Sequence, residues 1–182
     1  MVDTARTKAD LLTNIFQDGQ AVNSITANDM RDLIVSLATS QGSGRFISPA
    51  GIDINSTTVF EYPSSGTSAL INNTADIDMP QNGRIRYIGI IDKMFIINIS
   101  ITAIVEGNNQ DLRFQLTKNG VPMIETITAR SWGTGTDSGN LSISTGTLLA
   151  PNDYIEIQAA NDTSTSNITI QNGVITLHGN IA

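Results

Sequence analysis

The chain has 182 residues, no cysteine, and a net charge of −7 at pH 7 that arises from 10 basic and 17 acidic side chains. Without cysteine it can form neither a disulfide framework nor a thiolate metal site. The acidic balance argues against nucleic-acid binding, which requires a basic stripe. The longest apolar stretch, from Met94 to Val105, is interrupted by polar residues and is too short to cross a bilayer, so we expect no membrane insertion.

Two short amphipathic helices are predicted before residue 41. The first covers residues 8–16 and ends before a glycine, which commonly follows a helix end. The second begins at a capping-box pattern over residues 26–29, and its apolar residues recur every three or four positions. Helices this short are marginal in isolation, so we expect their apolar faces to attach to the β domain, to other copies or to another protein. The predicted attachment and oligomer contacts are Leu11, Leu12, Ile15, Phe16, Met30, Leu33, Ile34 and Leu37.

A flexible linker is predicted at residues 41–44, which read Gln-Gly-Ser-Gly. It divides the chain into a helical attachment leader with its linker, over residues 1–45, and a β domain over residues 46–182. Beyond the linker, turn-forming residues recur at the spacing typical of a sandwich or barrel. Strands are predicted over residues 52–60, 68–77, 84–91, 93–105, 111–118, 121–130, 140–149, 153–160, 167–171 and 173–181.

The strand over residues 93–105 has the clearest pattern, because Phe95, Ile97, Ile99 and Ile101 alternate with other residues and predict one buried face. The strand over residues 111–118 alternates in the same way. It is followed by Asn-Gly, the pair that favours a tight type I′ hairpin turn. The chain beyond the linker is therefore predicted to be antiparallel β.

A resemblance to one family follows from these segments and their order. The hairpin Leu116–Pro122 is similar to the Lys-Asn-Gly hairpin of the tumour-necrosis-factor-like and complement globular-head jelly rolls. The segments over residues 140–157 and 173–181 are similar to the strands and turn that follow it in that family. Asn152 stands where the family has glycine, and aliphatic residues stand where it stacks aromatic ones. The resemblance implies a mainly β fold, a jelly-roll sandwich of about ten strands, and a homotrimer.

A second resemblance concerns residues 18–37, which look like the short helical leader of many tailed-bacteriophage fibre, spike and head-decoration proteins. It implies a virion structural protein that is made in the host cytoplasm, is not an enzyme and needs no cofactor. Its partners would be itself and other capsid or tail proteins, contacted through the N-terminal helices. The function predicted is a capsid decoration or head fibre. The alternative is a tail-fibre or spike module that recognises a glycan on the host surface.

Five residues are candidate sites, and none of them is predicted to be catalytic or metal-binding. His178, the single histidine, lacks a nucleophile motif nearby and is expected to be exposed or at an interface. Asp76 and Asp78 lie on one face of a predicted strand, which suits either an oxygen-bound cation or a solvated strand edge. Trp132, in a predicted polar loop over residues 131–139, is the candidate ligand contact together with Asn161. The open alternatives for the tryptophan are a lid over the core and a contact with a neighbouring subunit.

Overall fold

The computed structural model describes residues 40–63, 66–73, 76–133 and 137–181. The described residues form ten strands: β1 (Ser40–Ile52), β2 (Thr67–Asn73), β3 (Ile77–Gln81), β4 (Arg84–Tyr87), β5 (Lys93–Val105), β6 (Gln110–Lys118), β7 (Val121–Trp132), β8 (Gly139–Leu149), β9 (Tyr154–Asn161) and β10 (Ile168–Ile181).

The fold class predicted from the sequence requires one correction. The predicted mainly β fold of about ten strands agrees with the structure, whereas the predicted two-helix leader is wrong as part of its description, because within the four described ranges all regular secondary structure is β and no helix occurs. The helices predicted over residues 8–16 and 26–37 lie outside the described residues. The physical signal for them was a local apolar period, which by itself is a weak guide when the segments are short.

The ten strands form two antiparallel sheets of five strands each. Sheet A has the order β2-β1-β10-β5-β8, and sheet B has the order β3-β4-β9-β6-β7. From β3 onward the chain repeatedly crosses from one sheet to the other, which is the connectivity of a jelly-roll sandwich. The core lies between the two sheets, as expected when each strand points alternate side chains inward.

Strand β5 shows how the sequence pattern produces this core. Its inward side chains Phe95, Ile97, Ile99 and Ile101 are at most 2% exposed, whereas its outward side chains are exposed or half-buried. Each fully buried side chain of this size contributes about 1.5–3 kcal/mol through removal from water. The largest fully buried side chains from the other strands include Phe46, Ile52, Ile77, Ile85, Tyr87, Leu112, Phe114 and Leu116.

The hairpin predicted between β6 and β7 is confirmed. Asn119 and Gly120 have φ angles of 52° and 78°, so both central residues adopt the positive φ that a type I′ turn requires. The turn pairs Lys118 with Val121 and places β7 at the edge of sheet B.

The segment predicted as a linker lies inside strand β1. Gly42 and Gly44 pair with both β2 and β10, so the chain is already part of sheet A at residues 41–44. A Cβ at Gly42 would meet Ile77, and one at Gly44 would meet the sulfur of Met79. The glycines are therefore required because side chains of sheet B pack closely on the backbone of β1. The glycine-rich composition that predicted a linker has this different cause.

The two strands predicted over residues 167–171 and 173–181 are not separate. Residues 168–181 form the single strand β10, which pairs with β1 on one side and with β5 on the other. Its register shifts by one residue between Ile170 and Asn172, so the irregularity is a β-bulge. Hydrogen bonding to two neighbours keeps this segment extended in spite of its turn-forming residues.

The two ends of the sandwich differ in polarity. We call the base the end where β1 begins and β10 ends, and the tip the end that holds the β5–β6 and β9–β10 connections. Among the described residues, eight of the ten exposed large hydrophobic side chains lie in the half nearer the base. They are Ile71, Ile88, Ile90, Met94, Ile96, Val121, Ile124 and Leu148. The tip connections consist of glycine and of polar residues that carry hydroxyl, amide or carboxylate groups.

Candidate functional site

The outward side of strands β10, β5 and β8 carries no Asp, Glu, Lys or Arg among the described side chains. We call it the uncharged face. This side is fixed by the alternation that buries the inward residues of the same three strands. Its residues are Met94, Ile96, Asn98, Ser100, Thr102, Ile104, Asn140, Ser142, Ser144, Gly146, Leu148, Thr169, Gln171, Asn172, Val174, Thr176 and His178.

The half of the uncharged face nearer the base is apolar. Met94 lies opposite Leu148 in the β5–β8 ladder, and Ile96 lies between Gly146 on β8 and His178 on β10. Met94, Ile96 and Leu148 are 46%, 51% and 41% exposed. Since these residues are neighbours on and across the strands, they form one continuous apolar area on the sheet.

The half nearer the tip is polar, and its side chains bond to one another across the strands. The Ser144 hydroxyl donates to the Asn98 side-chain oxygen over 2.8 Å, and the Thr102 hydroxyl donates to the Asn140 side-chain oxygen over 2.7 Å. Both pairs join directly opposite residues of β5 and β8. Because these groups satisfy one another within the sheet, covering them with another surface costs less than covering unpaired groups.

His178 is exposed on this face, as one of its two sequence interpretations predicted. Its neighbours across the strands are Gln41 on β1 and Ile96 on β5. Neither of these two register partners is a serine or an aspartate, so the residues directly opposite His178 supply no member of a triad.

Trp132 is buried, and the prediction that it is an exposed loop residue is wrong. It is the last residue of β7, is 4% exposed, and its ring lies 6.2 Å from that of Phe114. Its indole N–H donates a hydrogen bond of 3.1 Å to the carbonyl oxygen of Ala103. Gly139 leaves the space that the ring occupies, because a Cβ there would overlap the indole. The burial agrees with the alternative in which the ring covers the core.

Asn161 is also unavailable as a ligand contact. It is fully buried at the end of β9, and its side-chain amide donates to the Gln110 side-chain oxygen over 3.0 Å. Its side-chain oxygen accepts from the backbone N–H groups of Thr163 and Ser164 at 3.0 and 3.2 Å. The residue therefore holds the β9–β10 connection in place, a role that the polar sequence around it did not reveal.

A polar cavity of about 280 Å³ lies beside Trp132. Its lining includes Arg130, Ser131, Asp137 and Ser138. The Arg130 guanidinium lies 5.4 Å from the centre of the Trp132 ring and also donates to the backbone carbonyl of Asn140. The cavity presents charged and hydroxyl groups to solvent while the ring forms part of its wall.

The carboxylates of Asp76 and Asp78 are paired with separate cations. Asp78 accepts from the Arg86 guanidinium, with an Nε–Oδ1 distance of 2.9 Å. Asp76 accepts from the Ser40 hydroxyl, and its carboxylate lies 3.9 Å from the ammonium of Lys93. Within the described residues no three His, Asp or Glu side chains converge in a group that could hold a metal ion.

Lys93 is the buried centre of a polar cluster at the base. It is 3% exposed and donates to the Ser40 hydroxyl over 2.8 Å. Burial lowers the pKa of Lys93, and the charge of Asp76 acts in the opposite direction. Burial, followed by the Asp76 charge, raises the pKa of the neighbouring Tyr87 to about 12. The cluster joins the start of β1 to the start of β5 and fixes where the chain enters the sandwich.

The predicted attachment residues Leu11, Leu12, Ile15, Phe16, Met30, Leu33, Ile34 and Leu37 lie outside the described residues, so they stay predictions. In the part of the chain that is described, no helix has the length and hydropathy that would span a membrane.

No family model and no curated protein matches the sequence. Solved structures do match: murine APRIL at pH 5.0 is 8% identical over 75% of this chain and 98% of that chain, with a TM-score of 0.49. The globular domain of zebrafish complement 1qA protein is 13% identical over 80% and 98%, with a TM-score of 0.41. The PRD1 vertex protein P5 is 13% identical over 79% and 97%, with a TM-score of 0.44. Likeness at these identities concerns the fold alone.

Proposed function

We propose that this protein is a non-enzymatic structural protein of a bacteriophage virion, of the capsid-decoration or head-fibre type, whose sandwich assembles as a homotrimer. The observation that carries the proposal is the uncharged face of sheet A, with its apolar area around Ile96. The virion setting rests on the sequence resemblance of residues 18–37 to phage leaders.

The charge distribution supports self-association through the uncharged face. Each copy carries a net charge of −7, so copies that meet at random surfaces bring like charges together. Because β10, β5 and β8 present no Asp, Glu, Lys or Arg on this side, two copies can meet over these strands without burying a charge of their own. Arg45 of β1, which donates to the Asn172 side-chain oxygen over 2.8 Å, lies at the margin of the face. Depletion of charge together with exposed apolar side chains is also the compositional signature of an interface core.

A second apolar surface supports a ring. On edge strand β7, Val121, Ile124 and Ile127 are 66%, 75% and 41% exposed. This edge and the uncharged face are different surfaces of one chain, so contact between them is heterologous, and a heterologous contact that closes produces a cyclic oligomer. Closure also covers the free edges of β7 and β8, which otherwise invite pairing with other chains. We propose three copies, the number implied by the family resemblance.

Attachment to the particle is assigned to the apolar residues before β1. Four of them, Leu11, Leu12, Ile15 and Phe16, are the furthest from the sandwich along the chain, and they are proposed to contact a capsid or tail protein. The tip, with its polar connections, would then face the solvent. This arrangement places the apolar side chains toward protein and the polar loops toward water.

The self-association step is tested with Ile96→Glu in the full chain. The matched control is Val59→Glu, because Val59 is 46% exposed, close to the 51% of Ile96, but lies toward the tip. We expect Ile96→Glu to give monomers by sedimentation velocity, with an unchanged circular dichroism spectrum, and the control to behave as the unsubstituted protein. An Ile96→Glu variant that keeps the unsubstituted mass contradicts the proposed interface.

The virion step is tested separately by incorporation into particles. Host cells supply Leu12→Ser/Phe16→Ser or the control Val59→Ser to a phage that lacks its own copy, and purified particles are probed for the protein. We expect the control to be incorporated and the double variant to be lost. Equal incorporation of the double variant and the control would show that Leu12 and Phe16 are not part of the attachment site. Absence of the unsubstituted protein from particles would contradict the virion proposal.

The alternative function, a tail-fibre or spike module that binds a host surface glycan, is favoured by the polar cavity beside Trp132. Arg130→Ala tests it better than a substitution of the buried tryptophan, because Arg130 is exposed. Under the alternative, Arg130→Ala lowers adsorption of particles to host cells. Under the main proposal, adsorption is unchanged.

A further inference from the structure

We propose that the apolar side chains immediately before β1, at Ile34 and Leu37, pack against the base of their own sandwich, on Ile88 and Ile90. The inference goes beyond the proposed function and does not depend on self-association or on a virion. It divides the residues before β1 into a part near the sandwich that covers its base and a distal part that remains for attachment.

The receiving surface is the β4–β5 connection, and we call its two isoleucines, Ile88 and Ile90, the base patch. They are 39% and 62% exposed. The connection is fixed at both ends: the Ile88 N–H donates to the Asp76 carbonyl over 2.7 Å, and the Tyr87 hydroxyl donates to the Ile91 carbonyl over 2.7 Å. The base patch is therefore held outward by hydrogen bonds and does not turn into the core.

The chain enters the sandwich beside this patch. Ser40, the first described residue, donates to the Asp76 carboxylate and accepts from Lys93. Asp76 is also the residue whose carbonyl binds the Ile88 N–H. The entry point and the base patch are thus linked through a single residue, and the Lys93 cluster keeps that geometry fixed.

Chain length restricts where the preceding residues can lie. An extended chain spans at most about 3.3–3.6 Å per residue, so Leu37 lies within about 11 Å of Ser40 and Ile34 within about 22 Å. Strand β5, with 13 residues, is about 43 Å long at 3.3 Å per residue. Neither side chain can reach the tip. The exposed apolar side chains within their reach are those of the base half, and among these Ile88 is joined to the entry point through Asp76.

The occupant is the chain's own segment and not a second copy, because of effective concentration. A segment tethered a few residues away is present at about millimolar effective concentration, which a separate molecule must exceed to displace it. The base patch is in a connection at the end of the sandwich, whereas the uncharged face, with Met94 and Ile96, is on the outer side of sheet A. Both surfaces can therefore be covered at the same time.

Disulfide trapping tests the contact directly, because the chain has no cysteine and any bond must join introduced residues. The full-length variant Leu37→Cys/Ile90→Cys is oxidised under mild conditions and analysed by non-reducing gels and peptide mapping. The matched control is Leu37→Cys/Val59→Cys, with its second cysteine toward the tip. We expect an intramolecular link between positions 37 and 90 in the first variant and none in the control.

Two outcomes of the trapping experiment overturn the inference. Links between chains in Leu37→Cys/Ile90→Cys would mean that a second copy covers the base, and absence of any link would mean that the segment lies elsewhere. Hydrogen exchange supplies a readout without cysteines: Ile88→Ser/Ile90→Ser should speed amide exchange of residues 33–39 about tenfold or more, whereas Val59→Ser should not. Unchanged exchange in the double variant also contradicts the contact.

Discussion

The indole N–H of Trp132 donates a hydrogen bond to the carbonyl oxygen of Ala103, 3.1 Å away. Trp132 ends β7 in sheet B, and Ala103 lies in β5 in sheet A, so this bond joins the two sheets directly. The ring also packs on Phe114 and over Gly139. Trp132, which the sequence predicts to lie in a loop, therefore joins the two sheets near the tip of the sandwich.

The first prediction concerns this hydrogen bond between the sheets. Trp132→Phe keeps an aromatic ring but removes the indole N–H, so the Ala103 carbonyl loses the hydrogen bond that joins the two sheets. We expect a loss of about 1–3 kcal/mol in the free energy of unfolding, measured by urea denaturation at one protein concentration. The control Val59→Ala, at an exposed position, should change it by less than about 0.5 kcal/mol. An unchanged midpoint for Trp132→Phe would contradict the structural role.

The second prediction concerns the turn before β9. Asn152 has a φ of 72°, in the left-handed region that a β-branched residue disfavours. Its N–H donates to the Tyr87 carbonyl over 2.8 Å, so the turn is anchored to β4. We expect Asn152→Val to cost about 1–2 kcal/mol, measured by thermal or urea unfolding. Asn152→Gly should be at least as stable as the unsubstituted protein, and a Val variant of equal stability would show that the turn relaxes freely.

The third prediction concerns acid stability and Asp153. Burial alone would raise the pKa of Asp153. Hydrogen bonds from Asn119, Lys118 and the Ala150 N–H outweigh burial and lower it. The distances of Asn119, Lys118 and Ala150 from this carboxylate are 2.6, 2.9 and 2.9 Å. A pKa that is lower in the folded state than in the unfolded chain stabilises the fold above the unfolded value, and this contribution disappears as the pH falls through the folded value.

The measurement compares the unsubstituted protein with Asp153→Asn by urea unfolding at about pH 7 and about pH 3. At neutral pH the carboxylate is charged and we expect the variant to be less stable by about 1–2 kcal/mol. At the acidic pH the gap should narrow, because the stabilisation from the lowered pKa of Asp153 decreases as the pH falls below the pKa of the unfolded chain toward the lower folded pKa. A gap that stays constant or widens toward acid would contradict the assigned sign.

The fourth prediction separates the whole uncharged face from its apolar half. Ser142 is exposed in the polar half of the face, on β8. If the interface includes both halves, Ser142→Lys buries an unpaired charge and should weaken self-association about tenfold or more, seen as dissociation at higher protein concentration. Thr163→Lys, at the tip, is the control. Equal association of both variants would confine the interface to the apolar half.

The sequence predicts those parts of the fold that depend on local patterns. The strand over residues 93–105 and the Asn119-Gly120 turn follow from alternation and from tolerance of positive φ, and the structure has both. The start of the sandwich could not be predicted in this way. Gly42 and Gly44 are strand residues at which only glycine leaves room for side chains of sheet B. That requirement comes from contacts between residues far apart in the chain, which a local pattern does not show.

Part of the candidate site can be predicted from the sequence. Asn98, Ser100 and Thr102 alternate with buried isoleucines and alanine, so the outward side of β5 can be seen to lack charge. What could not be seen is that β8 and β10 lie beside it, because strand order in a jelly roll is set by long-range pairing. The prediction that Trp132 is an exposed loop residue is wrong for a related reason. The buried space that the indole ring occupies is bounded by Gly139 and Phe114, and the sequence of residues 131–139 does not indicate that this space exists.

The mass of the full-length protein in solution tests the central claim, that the uncharged face mediates assembly, most directly. Sedimentation equilibrium or native mass spectrometry of the unsubstituted chain should give three times the 19.4 kDa chain mass. The same measurement on Ile96→Glu should give 19.4 kDa. A monomer for the unsubstituted protein across the accessible concentration range would contradict both the trimer and the role given to the uncharged face.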